Sequence, residues 1–386
     1  MRPPLTLPTD WTPTETDLQG MADALAMAEE GLSLAPPNPS VGCSIWSPEG
    51  LCIGRGHTQE TGGPHAEVMA MRDAIAKGAS LAGSTAYVTL EPCAHHGRTP
   101  PCADALVKAG LARVVMALED PNPLVAGQGR RRLEAHGITV QSGLGAGQAQ
   151  DQLRGFLHRM RHQRPWVRMK MAASLDARTA LPNGESQWIT SPAAREDGHR
   201  WRARAGAVLT GIGTVLADDP RLDVRQQFCP ARSGQAPRQP LRIVLDRALR
   251  CPSHARILQP PGLTHLVYDP VRAEARDIAR LEGLATLWPW PGTAAGETEW
   301  DALWRLLASH AINEVHVEAG ATLSGALVAA HAVDECLLYM APVCLGPGRP
   351  LLDLPERQTL PDHADWTFFD ATPVGPDLRL RLLRQP

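Results

Sequence analysis

The sequence predicts two α/β domains in one chain of 386 residues. Short runs rich in β-branched residues alternate with helical patterns along both halves, which is typical of sheets covered by helices. The chain is also longer than chains that usually fold around a single hydrophobic core. Hydrophobic residues make up 43% of the chain and charged residues 20%. Each half can therefore bury a core, and a wholly disordered chain is excluded.

Composition and charge limit the kinds of partner that the protein is expected to bind. The formal net charge of -3 provides no positive field for nucleic acid, and no apolar run is long enough to span a bilayer. Residues 1–16 form a Pro- and Thr-rich tail without the apolar region of a signal peptide. We therefore expect a cytoplasmic protein that binds neither nucleic acid nor membrane, and we expect it to form a homo-oligomer. The eight cysteines are scattered, which favours metal binding over disulfides.

The first domain is predicted over residues 17–160. Leu18, Met21 and Leu25 share one side of a predicted helix over 17–30. A second helix is predicted over 65–77, where a proline precedes the start and a glycine follows the end. Turn residues between the first two strands predict a hairpin. The predicted strands cover 41–46, 51–54, 86–90, 114–118 and 138–140.

The second domain is predicted over residues 161–386. The Gly-rich segment 143–147 before it is interpreted as a flexible linker. A helix is predicted over 321–330, and the alternating apolar and arginine residues of 378–383 predict an edge strand that faces water. Residues 226–313 contain strand patterns but no recognisable chemistry. The other predicted strands cover 166–172, 207–209, 241–245, 263–268, 314–317 and 335–340.

A candidate metal site lies in the first half. His65 and Glu67 open the second predicted helix, Cys93 follows a strand, and Cys102 comes after a loop. One imidazole and two thiolates are the ligands of a catalytic Zn²⁺ that keeps one position open for water. Glu67 is then placed to move a proton between that water and a leaving amine. A His-x-Glu pattern followed by Pro-Cys and a second cysteine is typical of zinc nucleobase deaminases.

Plainer interpretations of these residues stay open. A His-x-Glu pattern also arises by chance, and a buried cysteine is usually part of a core. A closed structural zinc site with His95 or His96 as a further ligand is another alternative. Eight residues separate Cys93 from Cys102, whereas two residues separate the cysteines of the deaminase pattern. The catalytic interpretation is favoured because Glu67 would serve no purpose in a closed structural site.

The second half lacks the Gly-x-Gly-x-x-Gly fingerprint of a dinucleotide site. The best candidate for phosphate binding is 317–326, where a buried strand runs through small residues into a helix whose N–H groups are available. A plain turn with small residues for close packing is the alternative. Asp218 and Asp219 are compatible with a helix cap or turn.

The order of these motifs resembles the bifunctional riboflavin-biosynthesis deaminase-reductase family, whose long loop between the cysteines this chain shares. The resemblance implies an N-terminal cytidine-deaminase-like α/β/α domain and a C-terminal dihydrofolate-reductase-like α/β domain. The motifs are Pro37-Asn38-Pro39-Ser40-Val41-Gly42, His65-Ala66-Glu67-Val68, Thr89-Leu90-Glu91-Pro92-Cys93, Pro100-Pro101-Cys102, Lys170-Met171-Ala172-Ala173-Ser174-Leu175-Asp176, Gly184-Glu185-Ser186-Gln187-Trp188-Ile189-Thr190, Thr214-Val215-Leu216-Ala217-Asp218-Asp219-Pro220 and Val317-Glu318-Ala319-Gly320.

For the first domain, the resemblance implies zinc-dependent deamination of 2,5-diamino-6-ribosylamino-4(3H)-pyrimidinone 5′-phosphate. His65, Cys93 and Cys102 would bind Zn²⁺, and Glu67 would be the catalytic proton donor. Asn38 would hydrogen-bond the pyrimidine, a role that suits the paired donor and acceptor of an amide.

For the second domain, the resemblance implies NADPH-dependent reduction of the ribosyl side chain to ribityl, by hydride transfer to C1′. Ala177 stands where the family has glycine, so the backbone there needs a negative φ or tolerates mild strain. Implied substrate contacts are Ser186, Arg202, Leu222, Arg225 and Glu318. Implied cofactor contacts are Ala172, Trp188, Thr214, Asp218, Gly320, Ala321, Thr322, Leu323, Ser324, Gly325 and Ala326.

Two other functions are alternatives to this one. The first is a deaminase whose C-terminal domain has lost reductase activity. The second is a zinc-stabilised RNA-binding module, which the low aromatic content of 4% and the lack of a basic run with interleaved aromatics disfavour.

Overall fold

The computed structural model describes residues 11–94, 100–122, 126–227, 236–361 and 363–385. The chain divides into two compact units immediately after Gln163. Each unit has its own sheet, helices and hydrophobic core, as the alternating pattern predicts. Our placement of the boundary between residues 160 and 161, and of the tail at 1–16, stays a prediction.

The first unit is a five-stranded mixed sheet with the order β2-β1-β3-β4-β5. β1 pairs antiparallel with β2 through the predicted hairpin and with β3 on its other side. β3, β4 and β5 are parallel. The strands are β1 Gly42–Trp46, β2 Cys52–His57, β3 Thr85–Val88, β4 Arg113–Met116 and β5 Thr139–Ser142. The helices are α1 Glu15–Gly31, α2 Ala66–Ala76, α3 Cys102–Lys108, α4 Gln128–Glu134, α5 Ala146–Gln152 and α6 Arg154–His162.

Glycines bring two helices close to this sheet. A Cβ atom at Gly42 on β1 would lie 1.9 Å from the backbone oxygen of Ala24 on α1. A Cβ atom at Gly56 on β2 would lie 2.5 Å from the backbone nitrogen of Ala70 on α2. A larger residue at either position would force the helix away from the sheet. The close approach at Gly56 brings α2, whose start carries the first candidate site, against β2.

The interpretation of 143–147 as a flexible linker is wrong. The Leu144 side chain is fully buried and packs in a cluster with Met21 and Tyr87. Gly145, with φ of 74°, is the residue that enters α5. Glycine serves here to supply a left-handed turn, a role that the sequence pattern does not distinguish from flexibility.

The second unit is a nine-stranded sheet with the order β11-β10-β9-β8-β12-β6-β13-β16-β15. The strands from β11 to β13 are parallel, and β16 and β15 complete the sheet in antiparallel fashion. β7 and β14 form a separate two-stranded sheet. The strands are β6 Trp166–Ser174, β7 Arg178–Ala180, β8 Ala207–Gly211, β9 Leu241–Leu245, β10 Thr264–Tyr268, β11 Thr286–Pro289, β12 Glu314–Val317, β13 Glu335–Ala341, β14 Arg349–Pro350, β15 Trp366–Val374 and β16 Asp377–Arg384. The helices are α7 Pro192–Arg204, α8 Ile212–Asp218, α9 Ala275–Leu281, α10 Glu299–Ser309 and α11 Ala321–Ala329, with a short 3₁₀ helix at Arg256–Leu258.

The prediction that 378–383 is a water-facing edge strand is wrong. The strand exists, but β16 lies between β13 and β15. The side chain of Arg381 is buried, and its Nε donates to Glu335 at 2.7 Å. Its guanidinium also lies over the Trp201 ring, 4.8 Å from the centroid. An ion pair and an aromatic face thus allow a sheet interior to accept arginine, which the hydropathy pattern counts as exposed.

A buried histidine links the stability of the second unit to pH. His316 on β12 is fully buried, and its two ring nitrogens have no hydrogen-bond partner among the described residues. Burial lowers the pKa of His316 to about 3, and Arg168 adds to the decrease although Glu318 opposes it. The imidazole is therefore neutral in the folded protein at neutral and mildly acidic pH.

We predict that this histidine makes the second unit less stable as the pH falls from 6.5 towards 3. The unfolded chain binds a proton at His316 near pH 6.5 and the folded chain does not, so stability decreases by up to about 1.4 kcal/mol per pH unit. Urea unfolding of the full chain at pH 7, 6 and 5 measures this slope. His316→Gln should reduce the slope and His254→Gln, at an exposed position, should not. Equal slopes for both variants would contradict the prediction.

Candidate active sites

Three elements of the first unit bring one imidazole and two thiols together. His65 is the residue that precedes α2, Cys93 follows β3 after a short segment, and Cys102 is the first residue of α3. The Nδ1 atom of His65 lies 3.6 Å from the Cys93 sulfur and 3.3 Å from the Cys102 sulfur. All three atoms lie within 4.8 Å of one another. The predicted ligands thus occupy one small volume.

This geometry fits a zinc ion. Typical zinc–nitrogen and zinc–sulfur bonds at a tetrahedral angle place the two ligand atoms about 3.6 Å apart, close to both measured separations. The Cys102 thiol beside Cys93 and the His65 ring lower the pKa of the Cys93 thiol to about 4, against the effect of burial. The backbone N–H of Cys102 also donates to the Cys93 sulfur. Cys93 is therefore ready to act as a thiolate, the form that binds metal.

Glu67 lies beside these ligands without being part of the cluster. It is one of the first residues of α2, and its side chain is buried. Burial raises the pKa of Glu67 to about 7, and the nearby Cys93 adds to the increase. A carboxyl group with such a pKa can both accept and donate a proton at neutral pH. The candidate ligands His95 and His96 of the closed-site alternative lie outside the described residues.

Glu91 is a further residue of this region, and the sequence motifs imply no role for it. Its buried carboxylate accepts hydrogen bonds from the backbone N–H groups of Asp120, Gly127 and Arg130. Glu91 therefore ties the segment that precedes Cys93 to the loop at the start of α4. Its position directly before Pro92-Cys93, at the end of a buried strand, was the available signal.

Asn38 lies in the same unit, just before β1. It is half-buried, and its backbone N–H donates to Ala35. The structure gives no contact between its side chain and the zinc-ligand cluster, so its role in binding the pyrimidine stays a prediction.

The second unit contains a cleft of about 1720 Å³ at the carboxyl ends of its parallel strands. Among the described residues, nine cationic and three acidic side chains line it. In a parallel sheet, ligands bind at this edge. The implied substrate residues Ser186, Arg202, Leu222, Arg225 and Glu318 all line the cleft, as do the implied cofactor residues Ala172, Trp188, Thr214, Asp218, Gly320, Ala321, Thr322, Leu323 and Ala326.

Two of the implied cofactor residues do not line this cleft. Ser324 and Gly325 are on the buried side of α11. A Cβ atom at Gly325 would lie 2.0 Å from the backbone oxygen of Asp353, so glycine serves close packing there. A cofactor role for Ser324 and Gly325 stays a prediction without geometric support.

Arg202 and Glu318 form a two-pronged ion pair in the cleft. The Nε and Nη2 atoms of Arg202 donate to the Glu318 carboxylate at 2.6 and 2.9 Å. Its Nη1 atom donates to the backbone oxygen of Asp223 at 2.6 Å. Arg202, together with other cations, holds the pKa of Glu318 well below its usual range despite burial. Burial lowers the pKa of the neighbouring Lys170 ammonium.

The start of α11 fits a dinucleotide phosphate. Gly320 caps the helix without a side chain that could accept from the first N–H groups, and a Cβ atom at Gly320 would meet nothing within 4 Å. Gly213, in the first turn of the neighbouring helix α8, is equally open. Free backbone donors and open space above them are what a phosphate at a helix start requires.

Asp176 has a structural role in a turn beyond this cleft. Its carboxylate accepts from the Ser174 hydroxyl and from the backbone N–H groups of Leu345 and Gly346. These hydrogen bonds lower the pKa of Asp176 to about 2. The adjacent Ala177 has a φ of 58°, so it keeps a left-handed conformation and tolerates mild strain.

Comparison with known proteins places both sites in a family. Residues 165–380 match the model of the RibD C-terminal domain, and residues 14–118 match the cytidine and deoxycytidylate deaminase zinc-binding region. The riboflavin biosynthesis protein RibD of Escherichia coli is 45% identical, over 94% of this chain and 98% of that protein. The chain belongs to the RibD family. The RibD protein of Haemophilus influenzae is 41% identical, over 93% of this chain and 95% of that protein.

Solved structures agree with this assignment. Acinetobacter baumannii RibD matches with a TM-score of 0.83 and 40% identity, covering 96% of this chain and 99% of that chain. A Thermotoga maritima diaminohydroxyphosphoribosylaminopyrimidine deaminase/5-amino-6-(5-phosphoribosylamino)uracil reductase matches with a TM-score of 0.81 and 28% identity, covering 95% and 98%. The predicted fold class is confirmed: a cytidine-deaminase-like domain precedes a RibD reductase domain related to dihydrofolate-reductase-like enzymes. The chain is a bifunctional deaminase and reductase of riboflavin biosynthesis that uses Zn²⁺ and NADPH.

Proposed function

We propose that the first unit removes the ring 2-amino group of 2,5-diamino-6-ribosylamino-4(3H)-pyrimidinone 5′-phosphate as ammonia. The second unit then reduces the ribosyl side chain of the product to ribityl. The observation that carries the proposal is the cluster of His65, Cys93 and Cys102 with Glu67 buried beside it and outside the ligand set. The similarity to the Thermotoga maritima enzyme, which is named as both a deaminase and a reductase, supports it.

The residues of the first unit divide the work of deamination. His65, Cys93 and Cys102 hold Zn²⁺, which supplies an activated water molecule at neutral pH when bound. Glu67 accepts a proton from the attacking water and donates one to the leaving amine, which departs as ammonia. The half-buried Asn38 hydrogen-bonds the pyrimidine through its amide.

The residues of the second unit position two ligands in one cleft. When bound, NADPH supplies the hydride that reduces C1′ and so converts the ribosyl side chain to ribityl. The turn from Gly320 to Leu323 holds its phosphates, and Ala172 and Trp188 are further contacts of the cofactor in the cleft. Arg225 is exposed in the cleft and binds the substrate phosphate, while Arg202 and Glu318 contact the sugar.

The proposal also covers the partners, the location and the oligomeric state of the enzyme. Its partners are small phosphorylated pyrimidines rather than nucleic acid or membrane, it acts in the cytoplasm, and it forms a homo-oligomer. Among the described residues, no helix has both the length and the apolar character needed to cross a bilayer. No observation favours the alternative of a reductase domain without activity, since the cleft contains nearly all of the implied residues.

We predict that removing the metal stops deamination and spares reduction. Because the zinc ligands belong to the first unit, dialysis of the full chain against a chelator should abolish ammonia release from the diamino substrate. NADPH oxidation with the deaminated substrate should stay within about twofold, and added Zn²⁺ should restore deamination. Loss of both activities on chelation would contradict the assignment.

We predict that Glu67→Gln keeps zinc and loses deamination. The amide cannot transfer protons, and Glu67 is not a ligand, so the metal content should stay near one ion per chain while ammonia release falls by about 10²- to 10⁴-fold. Metal analysis and an ammonia assay on the same preparation measure both quantities. His65→Ala is the matched variant that should lose the metal. A Glu67→Gln protein without zinc would show that the carboxylate is a ligand after all.

We predict that Arg202→Ala impairs reduction while sparing deamination. The change leaves Glu318 without its two-pronged partner, and losing charged hydrogen bonds of this kind should lower kcat/KM for reduction about 10- to 100-fold. NADPH oxidation and ammonia release, followed on one preparation, compare the two sites. Arg200→Ala, on the same helix and highly exposed, is the control. An equal decrease in both activities of Arg202→Ala would argue against separate sites.

A further inference from the structure

Two side chains just before β9, Arg238 and Gln239, contact the parts of the backbone that carry the cleft residues Arg202 and Arg225. Both are partly buried, and neither lines the cleft. They belong to residues 226–313, where the sequence shows strand patterns but no recognisable chemistry. Any effect of these two side chains on the reductase site must therefore pass through the backbone groups that they bind.

The segment 221–225, which ends at Arg225, reaches the cleft without regular secondary structure. Leu222 has a φ of 51°, a left-handed conformation that is unfavourable for a residue with a side chain. Such a conformation persists only where the surrounding structure holds it. The hydrogen bonds to this segment therefore decide where Arg225 lies.

The Gln239 amide binds both backbone groups of Val224. The Val224 N–H donates to Gln239 Oε1 at 2.8 Å, and Gln239 Nε2 donates to the Val224 oxygen at 3.0 Å. A side-chain amide has a donor and an acceptor side by side, so it pairs with one residue as a neighbouring strand would. The Val224 carbonyl belongs to the peptide bond that joins it to Arg225. Because Val224 is buried, loss of the amide would leave buried backbone groups without these partners.

The same segment is tied to the helix α7. Arg202 donates from its Nη1 atom to the backbone oxygen of Asp223 at 2.6 Å. Arg238 donates from its Nη2 atom to the backbone oxygens of Ala203 and Ala205 at 2.9 and 2.6 Å. Carbonyls at the end of a helix lack partners within the helix, and a cation there is favourable. Adjacent residues of the chain thus hold the end of α7 and the segment before the exposed cleft arginine.

Binding of a phosphate by Arg225 depends on the direction in which its backbone presents the side chain. Arg225 is exposed in the cleft, and an exposed arginine loses conformational freedom when it binds a ligand. A guanidinium binds phosphate best when two of its N–H groups are aligned with two oxygens. A backbone that is fixed in advance lowers the entropic cost and favours this alignment.

We propose that Gln239 is a positioning residue of the reductase site, which fixes the peptide between Val224 and Arg225 so that Arg225 binds the substrate 5′-phosphate. The inference rests on the proposed function of Arg225 and adds a residue outside the cleft to phosphate recognition. Gln239 should therefore contribute to phosphate recognition only when Arg225 is present.

The first test compares the deaminated substrate with the same compound without its 5′-phosphate, by NADPH oxidation on the full chain. Gln239→Met keeps the length of the side chain and removes both hydrogen bonds to Val224. It should lower the ratio of kcat/KM with the phosphate to kcat/KM without it about 5- to 50-fold, mainly through KM. A merely structural role would lower both values together, and an unchanged ratio would overturn the inference. Gln259→Met, at an exposed position that does not line the cleft, is the control that should keep the wild-type ratio.

The second test establishes whether Gln239 acts through Arg225. Arg225→Ala should lower the same ratio, and the double variant Arg225→Ala/Gln239→Met should lower it no further, because the residue to be positioned is missing. Additive effects would overturn the inference, since they would give Gln239 a role independent of Arg225. A wild-type ratio in Arg225→Ala would refute the proposed function of Arg225 and the inference together.

The third test does not depend on catalysis. In calorimetric titrations of the full chain, Gln239→Met should bind ribose 5-phosphate about 5- to 50-fold more weakly than the wild type. An equal Kd for ribose 5-phosphate in both proteins would overturn the inference even if the enzyme reduces its substrate. A weaker Kd in the variant, with a wild type that oxidises no NADPH, would refute the proposed reduction and leave the inference standing.

The Kd for NADPH, measured in the same way, shows whether the second unit of each variant is folded. It should stay within about twofold of the wild-type value in Gln239→Met. If it does not, Gln239→Glu replaces that variant in all three tests. The glutamate keeps the acceptor for the Val224 N–H and loses the donor to the Val224 carbonyl, so the ratio and the Kd for ribose 5-phosphate should change in the same direction. Wild-type values for both quantities in a folded Gln239→Glu protein would overturn the inference.

Discussion

The chemistry of the first unit depends on the meeting of one imidazole nitrogen and two sulfurs within 4.8 Å. Each ligand stands at an end of an element: His65 before α2, Cys93 after β3 and Cys102 at the start of α3. The sheet therefore sets the ligand geometry, and the small residues that let α2 approach β2 belong to the metal site as much as the ligands do. Glu91 extends this support, because its three backbone hydrogen bonds hold the segment before Cys93.

The second unit places its chemistry at the carboxyl ends of parallel strands, where residues distant in sequence become neighbours. In the part of the chain that the structure describes, this edge has nine cationic side chains and three acidic ones. Such an excess of like charge destabilises the folded unit through repulsion and favours the binding of anions. Anionic ligands should therefore stabilise this unit by more than their contacts alone provide, since they also relieve repulsion among the arginines.

The sequence predicted most elements and singled out His65, Cys93 and Cys102, which the structure brings together, because periodicity and the types of metal ligand are local signals. The sequence-based predictions were wrong where one residue type can have several structural roles. Gly145 enters a helix although the segment looked like a linker, and Arg381 is buried although it looked exposed. The arginines after β9 and β10 form no local pattern. Only the strand order brings them into the cleft, and a hydropathy profile contains no information about strand order.

The ion pair between Arg202 and Glu318 limits what the Arg202 guanidinium can bind. A guanidinium in a phosphate-binding cleft invites the interpretation that it binds phosphate. Its Nε and Nη2 atoms, however, donate to Glu318 and its Nη1 atom to the backbone of Asp223. To bind phosphate, Arg202 would have to leave the partly buried Glu318 carboxylate without its two-pronged partner, which means losing charge-assisted hydrogen bonds. We therefore expect Arg202 to orient Glu318 and the exposed Arg225 to be the better candidate for binding the substrate phosphate.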